Sequence, residues 1–266
     1  MIKTCFVSSL YLGEQFREPD VPSTFQRIPN IDYLLFTNVP KHSCLANTSW
    51  DVIEYIDENP KIASNCIVHS RVAKFQPWRI PILIERDYDI IIYCDAYWTP
   101  IPTLKWEQII NQLLQSKSGI IQSLNPYRDC AYDECVELIK ANKESVGKME
   151  KTIQLFEQNS LPRHYALYRN TFLCYQPKNY NVKKLFGVFW ELYYDNKYTY
   201  RDQPLYSLSS FLSGIKPDIV TVKDGNGVNV HRMDHILFEM SGKRSDHTYT
   251  NTDKNIKKKE IYQFEF

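Results

Sequence analysis

Glycine is scarce in this chain, with eight in 266 residues. Neither GxGxxG nor GxxxxGKS/T occurs, so no Gly-rich dinucleotide or P-loop cradle is available. A bound phosphate would have to be held by side chains. Long apolar runs are also missing. None approaches the roughly 18 residues that a membrane span needs. The N-terminus, Met1-Ile-Lys-Thr-Cys-Phe-Val-Ser-Ser-Leu10, lacks the apolar core and cleavage site of a signal peptide. It reads as a first strand, and a cytoplasmic location is expected. Charge of one sign is absent too. The formal net charge is +1, which gives no reason to expect a nucleic-acid partner. The seven cysteines are odd in number and scattered, with no CxxC or Cys/His pair at zinc spacing. Reduced, mostly buried thiols are the expectation.

What the chain does have is hydrophobic residues (43%) and aromatics (14%, with 19 Tyr). Its organising stretch is Asp89-Ile-Ile-Ile-Tyr-Cys-Asp95. A continuous apolar run this short predicts a strand buried on both faces. It ends in a lone carboxylate, where open α/β sheets bind their ligands. Pro100 and Pro102 are expected to end ladder pairing. Strands are also predicted at 3–10, 33–38, 50–56, 118–124, 165–175 and 219–222. Helices are predicted at 62–78, 105–114, from about 128 to 159 with a break near Gly147, at 182–194 and at 205–212. Ile67, Val68, Val72 and Phe75 form the apolar stripe of the first helix, with Arg71, Lys74 and Arg79 on its other face. Pro204 just inside a helix start puts Asp202 at or near the N-cap.

Strands alternating with helices predict an α/β fold, a mixed and mainly parallel sheet covered on both faces. One domain is expected over 1–242. A polar, Lys-rich tail follows over 243–266, with the Lys254–Lys259 cluster as a solvated end.

Three polar constellations stand out. They are Asp95 with Arg71 and Lys74 upstream, Asn125-Pro-Tyr-Arg128-Asp129 after the next strand, and Arg201-Asp202-Gln203 at a helix start. Singly, each has a plain explanation as a turn, an ion pair or a cap. Together they could grip a diphosphate with cations, hold a divalent metal on an acid and offer a second acid as general base.

The sequence resembles glycosyltransferases of the GT-A fold. More narrowly, it is similar to the family of plant pectin- and mucilage-related transferase-like proteins, their bacterial relatives and sugar transferases of large algal viruses. The matching pieces are Phe36-Thr-Asn38, Arg71-Val-Ala-Lys74-Phe75, Asp87 to Asp95, Asn125 to Glu134, and Arg201-Asp-Gln203. They keep the family's order over roughly positions 1 to 215. The resemblance implies transfer of a sugar from a nucleotide donor, UDP by default, to a hydroxyl of a glycan or glycoprotein acceptor. Xylose or rhamnose is the implied sugar, and a host-cytoplasmic setting follows if the chain is viral. It implies donor contacts from Ser8, Arg71, Lys74, Asp95, Arg128, Arg201 and Gln203. For an inverting reaction it implies Asp202 as the base, with Asp129 as the alternative. A Mn²⁺ or Mg²⁺ ion is implied on the strand-terminal acid. Here the third position of the usual Asp-x-Asp is Tyr97, so only Asp95 remains. His231, and second to it His235, are the implied C-terminal metal ligands.

Overall fold

The structure, a computed structural model, describes residues 2–13, 20–224, 226–234 and 236–243. His235 and the Lys254–Lys259 cluster lie outside the described residues. Seven strands form one sheet: β1 (Thr4–Leu10), β2 (Asp32–Thr37), β3 (Asp51–Glu54), β4 (Ile90–Cys94), β6 (Ile120–Leu124), β7 (Tyr168–Tyr175) and β8 (Asp218–Ile219). Between β4 and β6 lies β5, the two-residue strand Thr99–Pro100, outside this sheet.

The sheet order is β3-β2-β1-β4-β7-β6-β8. Every neighbour pair is parallel except those made by β7, which runs against both β4 and β6. This is the mixed, mainly parallel α/β sheet expected from the sequence. The chain winds outward from β1 to β3, then returns to place β4 on the other side of β1. The order therefore reverses between β1 and β4, the kind of switch point outside whose strand C-termini open α/β sheets bind ligands.

Period-two alternation divides the core between the two faces. Cys5 and Val7 of β1 face one cluster, with Leu34, Phe36, Ile91 and Tyr93. Phe6 faces the other, with Tyr33, Leu35, Ile90 and Ile92. The first face is covered by helices α1 (Pro60–Ala63), α2 (Cys66–Ser70), α3 (Val72–Phe75), α4 (Pro81–Arg86), α6 (Ala131–Lys140), α7 (Val146–Gln158), α8 (Tyr180–Tyr193) and α9 (Asp202–Ser213). The second is covered by α5 (Lys105–Gln115), with Trp106, Ile109 and Leu113 turned inward, and by the C-terminal chain through Met233, Leu237 and Phe238.

Several expectations need correction. The continuous helix over 62–78 is three short helices and a 3₁₀ turn. Asn65 caps α2 by accepting from the backbone of Ile67 and Val68, which ends the preceding turn. Pro77 and Pro81 then each open a new helical turn. Of the cations on the other face of that segment, Lys74 is buried, at 2% exposed, while Arg71 and Arg79 stay partly exposed. The pattern over 128–159 is two helices that break at 141–145, with Gly147 inside the second. The late strand over 219–222 is split between β8 and β9 (Val222–Lys223), and β9 pairs with β10 (Asn229–Val230). Finally, Pro100 does not end pairing. Strand β5 forms a short ladder with β11 (Phe238–Glu239), tolerated because the edge needs no N–H from the proline.

Candidate functional site

At the switch point the ends of β1 and β4 are tied together. Ser8 Oγ donates to the Cys94 carbonyl at 2.8 Å. Ser9 Oγ donates to the Ser70 carbonyl at 2.8 Å and shares a 3.0 Å hydrogen bond with the Tyr93 hydroxyl. Ser8 is fully buried and its donor is spent on this tie. The Ser9–Ser70 contact fixes the end of α2 over the strand ends.

Two cations of that helical segment meet two carboxylates. Lys74 Nζ donates to Asp202 Oδ2 at 2.8 Å and lies 3.9 Å from Asp95 Oδ1. It also sits 4.9 Å from the centre of the Tyr93 ring. Arg71 Nε is 3.1 Å from the same Asp202 oxygen, an ion pair by distance without hydrogen-bond alignment, since this N–H has no hydrogen-bond partner. Arg71 Nη1 donates to Ser70 Oγ. Asp202 is in the first turn of α9 with Arg201 as the N-cap, so its carboxylate leaves the helix end and reaches Lys74.

The electrostatics separate the two acids. Burial alone would raise the Asp202 pKa. The Lys74 and Arg71 charges, with Asn170 beside them, overcome burial and hold it down to about 2. Burial also acts on Asp95. There it outweighs Lys74 and Arg71, with Asp202 adding repulsion, so its pKa is raised. The side chain of Asp95 remains 29% exposed, against 11% for Asp202.

The second constellation lies next door. Asn125 Oδ1 accepts from the backbone of Tyr127 and Arg128, and its Nδ2 donates to Gln203 Oε1 at 2.9 Å. Arg128 is turned away to Glu134 at 2.7 Å. Arg201 lies 4.8 Å from the centre of the Tyr200 ring. Asp129 is fully on the surface, 2.8 Å from His164 Nδ1. The pair lowers the Asp129 pKa and raises that of His164, chiefly through this hydrogen bond. A cleft of about 590 Å³ runs along this side, lined by Asn125, Arg128, Asp129, His164, Tyr168 and Lys216 among others.

His231 is exposed. Its Nδ1 faces the Val220 carbonyl at 3.2 Å and Thr221 Oγ1 at 3.3 Å. Arg79 pairs instead with the buried Asp57 at 2.7 Å.

Sequence reasoning missed Tyr93, Ser9, Ser70, Asn170 and His164. The first four sit inside or beside apolar elements, where spacing carries no chemical signal. His164 lies between α7 and β7, and no short spacing links it to Asp129, Cys130 or Asp133. Among the described residues, a group able to hold a divalent cation is Cys130, Asp133 and His164, whose ligand atoms lie within 4.8 Å of one another.

No family model and no curated protein matches the chain. Its backbone is similar to mouse xyloside xylosyltransferase 1 in the apo form. That match has 8% identity and a TM-score of 0.41, over 79% of this chain and 82% of that one. It is also similar to the galactosyltransferase LgtC in complex with donor and acceptor sugar analogues. Here identity is 12% and the TM-score 0.36, over 77% of this chain and 70% of that one.

Proposed function

We propose that this chain is a GT-A-like glycosyltransferase, moving a sugar from a nucleoside-diphosphate donor to a hydroxyl of a glycan. The observation that carries this reading is the meeting of Arg71, Lys74, Asp95 and Asp202 at the switch point between β1 and β4. A departing nucleoside diphosphate needs preorganised positive charge in a water-poor crevice. Arg71 and Lys74 supply it, held by carboxylates that a diphosphate would partly replace.

Asp202 was the base implied by the resemblance. Its carboxyl, pinned near 2 by two cations, is far from the neutral range that suits a general base. We assign it instead to holding Arg71 and Lys74 in place and accepting hydrogen bonds from the donor sugar. An inverting transfer needs a carboxylate that takes the acceptor proton. Asp95 is the better candidate, because its environment pushes its pKa the opposite way.

Asp95 by itself does not make a resident Mn²⁺ or Mg²⁺ site. It offers one carboxylate, Tyr97 stands where a second acid would be, and the Lys74 ammonium is 3.9 Å away. A Mn²⁺ or Mg²⁺ ion held on that one carboxylate would need donor phosphates and waters for the rest of its oxygen shell, with the Lys74 ammonium opposing it.

The test is thermal stabilisation by nucleoside diphosphates and sugar nucleotides, UDP-xylose first, with EDTA or Mn²⁺ added. Donor turnover is then followed by release of the nucleoside diphosphate. Stabilisation that survives EDTA and is lost in Arg71→Ala supports the reading. No stabilisation by any nucleotide overturns it, and binding without turnover leaves a sugar-nucleotide-binding protein.

A further inference from the structure

We propose that Cys130, Asp133 and His164 form a binding site for a zinc-class cation on the wall of the cleft, independent of the donor site. Cys130 is the N-cap residue of α6 and Asp133 lies in its first turn. His164 comes from the segment after α7, more than 30 positions along the chain. No short spacing in the sequence announces the group, and only the fold brings it together.

The two segments are held side by side without any ion. The Tyr132 hydroxyl donates to the Leu161 carbonyl at 3.0 Å, and the Arg163 guanidinium lies 4.7 Å from the centre of the Tyr132 ring. The ligand atoms lie within 4.8 Å of one another. Bonds of about 2.0–2.3 Å at tetrahedral angles would put them about 3.5 Å apart. The difference is about 1 Å, within reach of side-chain rotation because the His164 imidazole is 60% exposed.

A second observation comes from Asp129. Its carboxylate lies 2.8 Å from His164 Nδ1. This is the carboxylate–imidazole arrangement that fixes the tautomer of a metal-bound histidine and leaves Nε2 with its lone pair free.

The donor set decides the cation. One thiolate, one imidazole and one carboxylate suit Zn²⁺ and its neighbours, whereas Mg²⁺ and Ca²⁺ require oxygen alone. Three protein ligands leave a fourth position for water or a ligand oxygen. Asp129 and His164 line the cleft, so that position borders it. Arg163 Nη1, 3.7 Å from Asp133 Oδ1, is a neighbouring charge opposed to a cation. It is a surface contact, and the guanidinium keeps its stacking on Tyr132 if Asp133 turns away.

The experiment adds Co²⁺ to the full, metal-stripped chain and reads the thiolate-to-cobalt charge-transfer absorption, then displaces Co²⁺ with Zn²⁺. One equivalent of Co²⁺ should give this band. Cys130→Ser and His164→Ala should abolish it, and Asp129→Asn should weaken affinity about 10- to 100-fold. Cys44→Ser and Cys66→Ser, at two partly exposed thiols outside the group, should leave it unchanged. Circular dichroism confirms that each variant folds. A folded wild-type chain without the band, or a band that persists in Cys130→Ser or His164→Ala, overturns the site. The donor-nucleotide assay involves none of these residues, so the two proposals fail separately.

Discussion

Lys74 Nζ donates to Asp202 Oδ2 at 2.8 Å across 128 positions of sequence, and both residues are buried. Breaking such a pair leaves one uncompensated charge in the interior. Lys74→Met should therefore lower unfolding stability by about 3 kcal/mol, the low end of the range for buried pairs because Arg71 still faces Asp202. The double variant Lys74→Met, Asp202→Asn should recover part of that loss in urea titrations, since it removes both charges. A loss in the double variant equal to the sum of the Lys74→Met and Asp202→Asn losses would show that the two residues are not energetically coupled.

Acid should weaken the fold in two steps. His69 is fully buried, accepts a hydrogen bond from the Asp57 backbone and packs against the Tyr11 ring at 4.0 Å between centres. Burial lowers its pKa from 6.5 to about 4. Between those values the unfolded chain holds a proton that the folded chain does not, so stability falls as pH drops from 6.5 to about 4, by about 3 kcal/mol in all. Asp202 acts at lower pH. Its depressed pKa contributes about 2 kcal/mol that is fully present above 3.8 and is lost as pH falls through about 2. His69→Gln should flatten the first step, and Asp202→Asn the second, in chemical denaturation followed against pH.

Phe75 connects the cation pair to the core. It is fully buried, with ring centres 4.2 Å from Phe189, 5.3 Å from Phe186 and 5.6 Å from Tyr206. Phe75→Ala should cost about 3–5 kcal/mol through the cavity it leaves. Because Lys74 is its chain neighbour, nucleotide affinity should fall as well. Phe75→Leu, which fills most of the space, should restore both in melting and binding measurements.

Activity should divide the four charged residues by role. If Arg71 grips the donor phosphates as proposed, Arg71→Ala should raise the donor KM at least tenfold. Asp95→Asn keeps the shape but not the basicity. It should lower kcat by about 10²–10⁴-fold with little change in donor affinity. Unchanged kcat in Asp95→Asn would remove that residue from proton transfer.

Much of the frame was legible from residue order. The runs at Thr4–Leu10, Asp32–Thr37 and Ile90–Cys94 are apolar because both faces of the sheet are covered, and local composition alone carries that signal. Asp95 at a strand end was legible for the same reason. The break of the first long helix was less so. Asn65 is an ordinary helix residue by periodicity, and only its side chain turning back to cap α2 stops the turn.

The sequence by itself determined the α/β class, the buried central strands and the charged residue types at their ends. These follow from hydrophobic period and turn chemistry, which are local. Only the tertiary structure decided what those charges do. It buried Lys74, which pattern alone would leave in solvent, and turned Asp202 from a cap into the partner of two cations. It left Arg79 on Asp57 and Arg128 on Glu134, outside the cluster. It also set Cys130 and Asp133 beside His164. Such pairings depend on strand order and helix docking across long chain separations, and the energy of a charge depends on the burial and partners that those distances create.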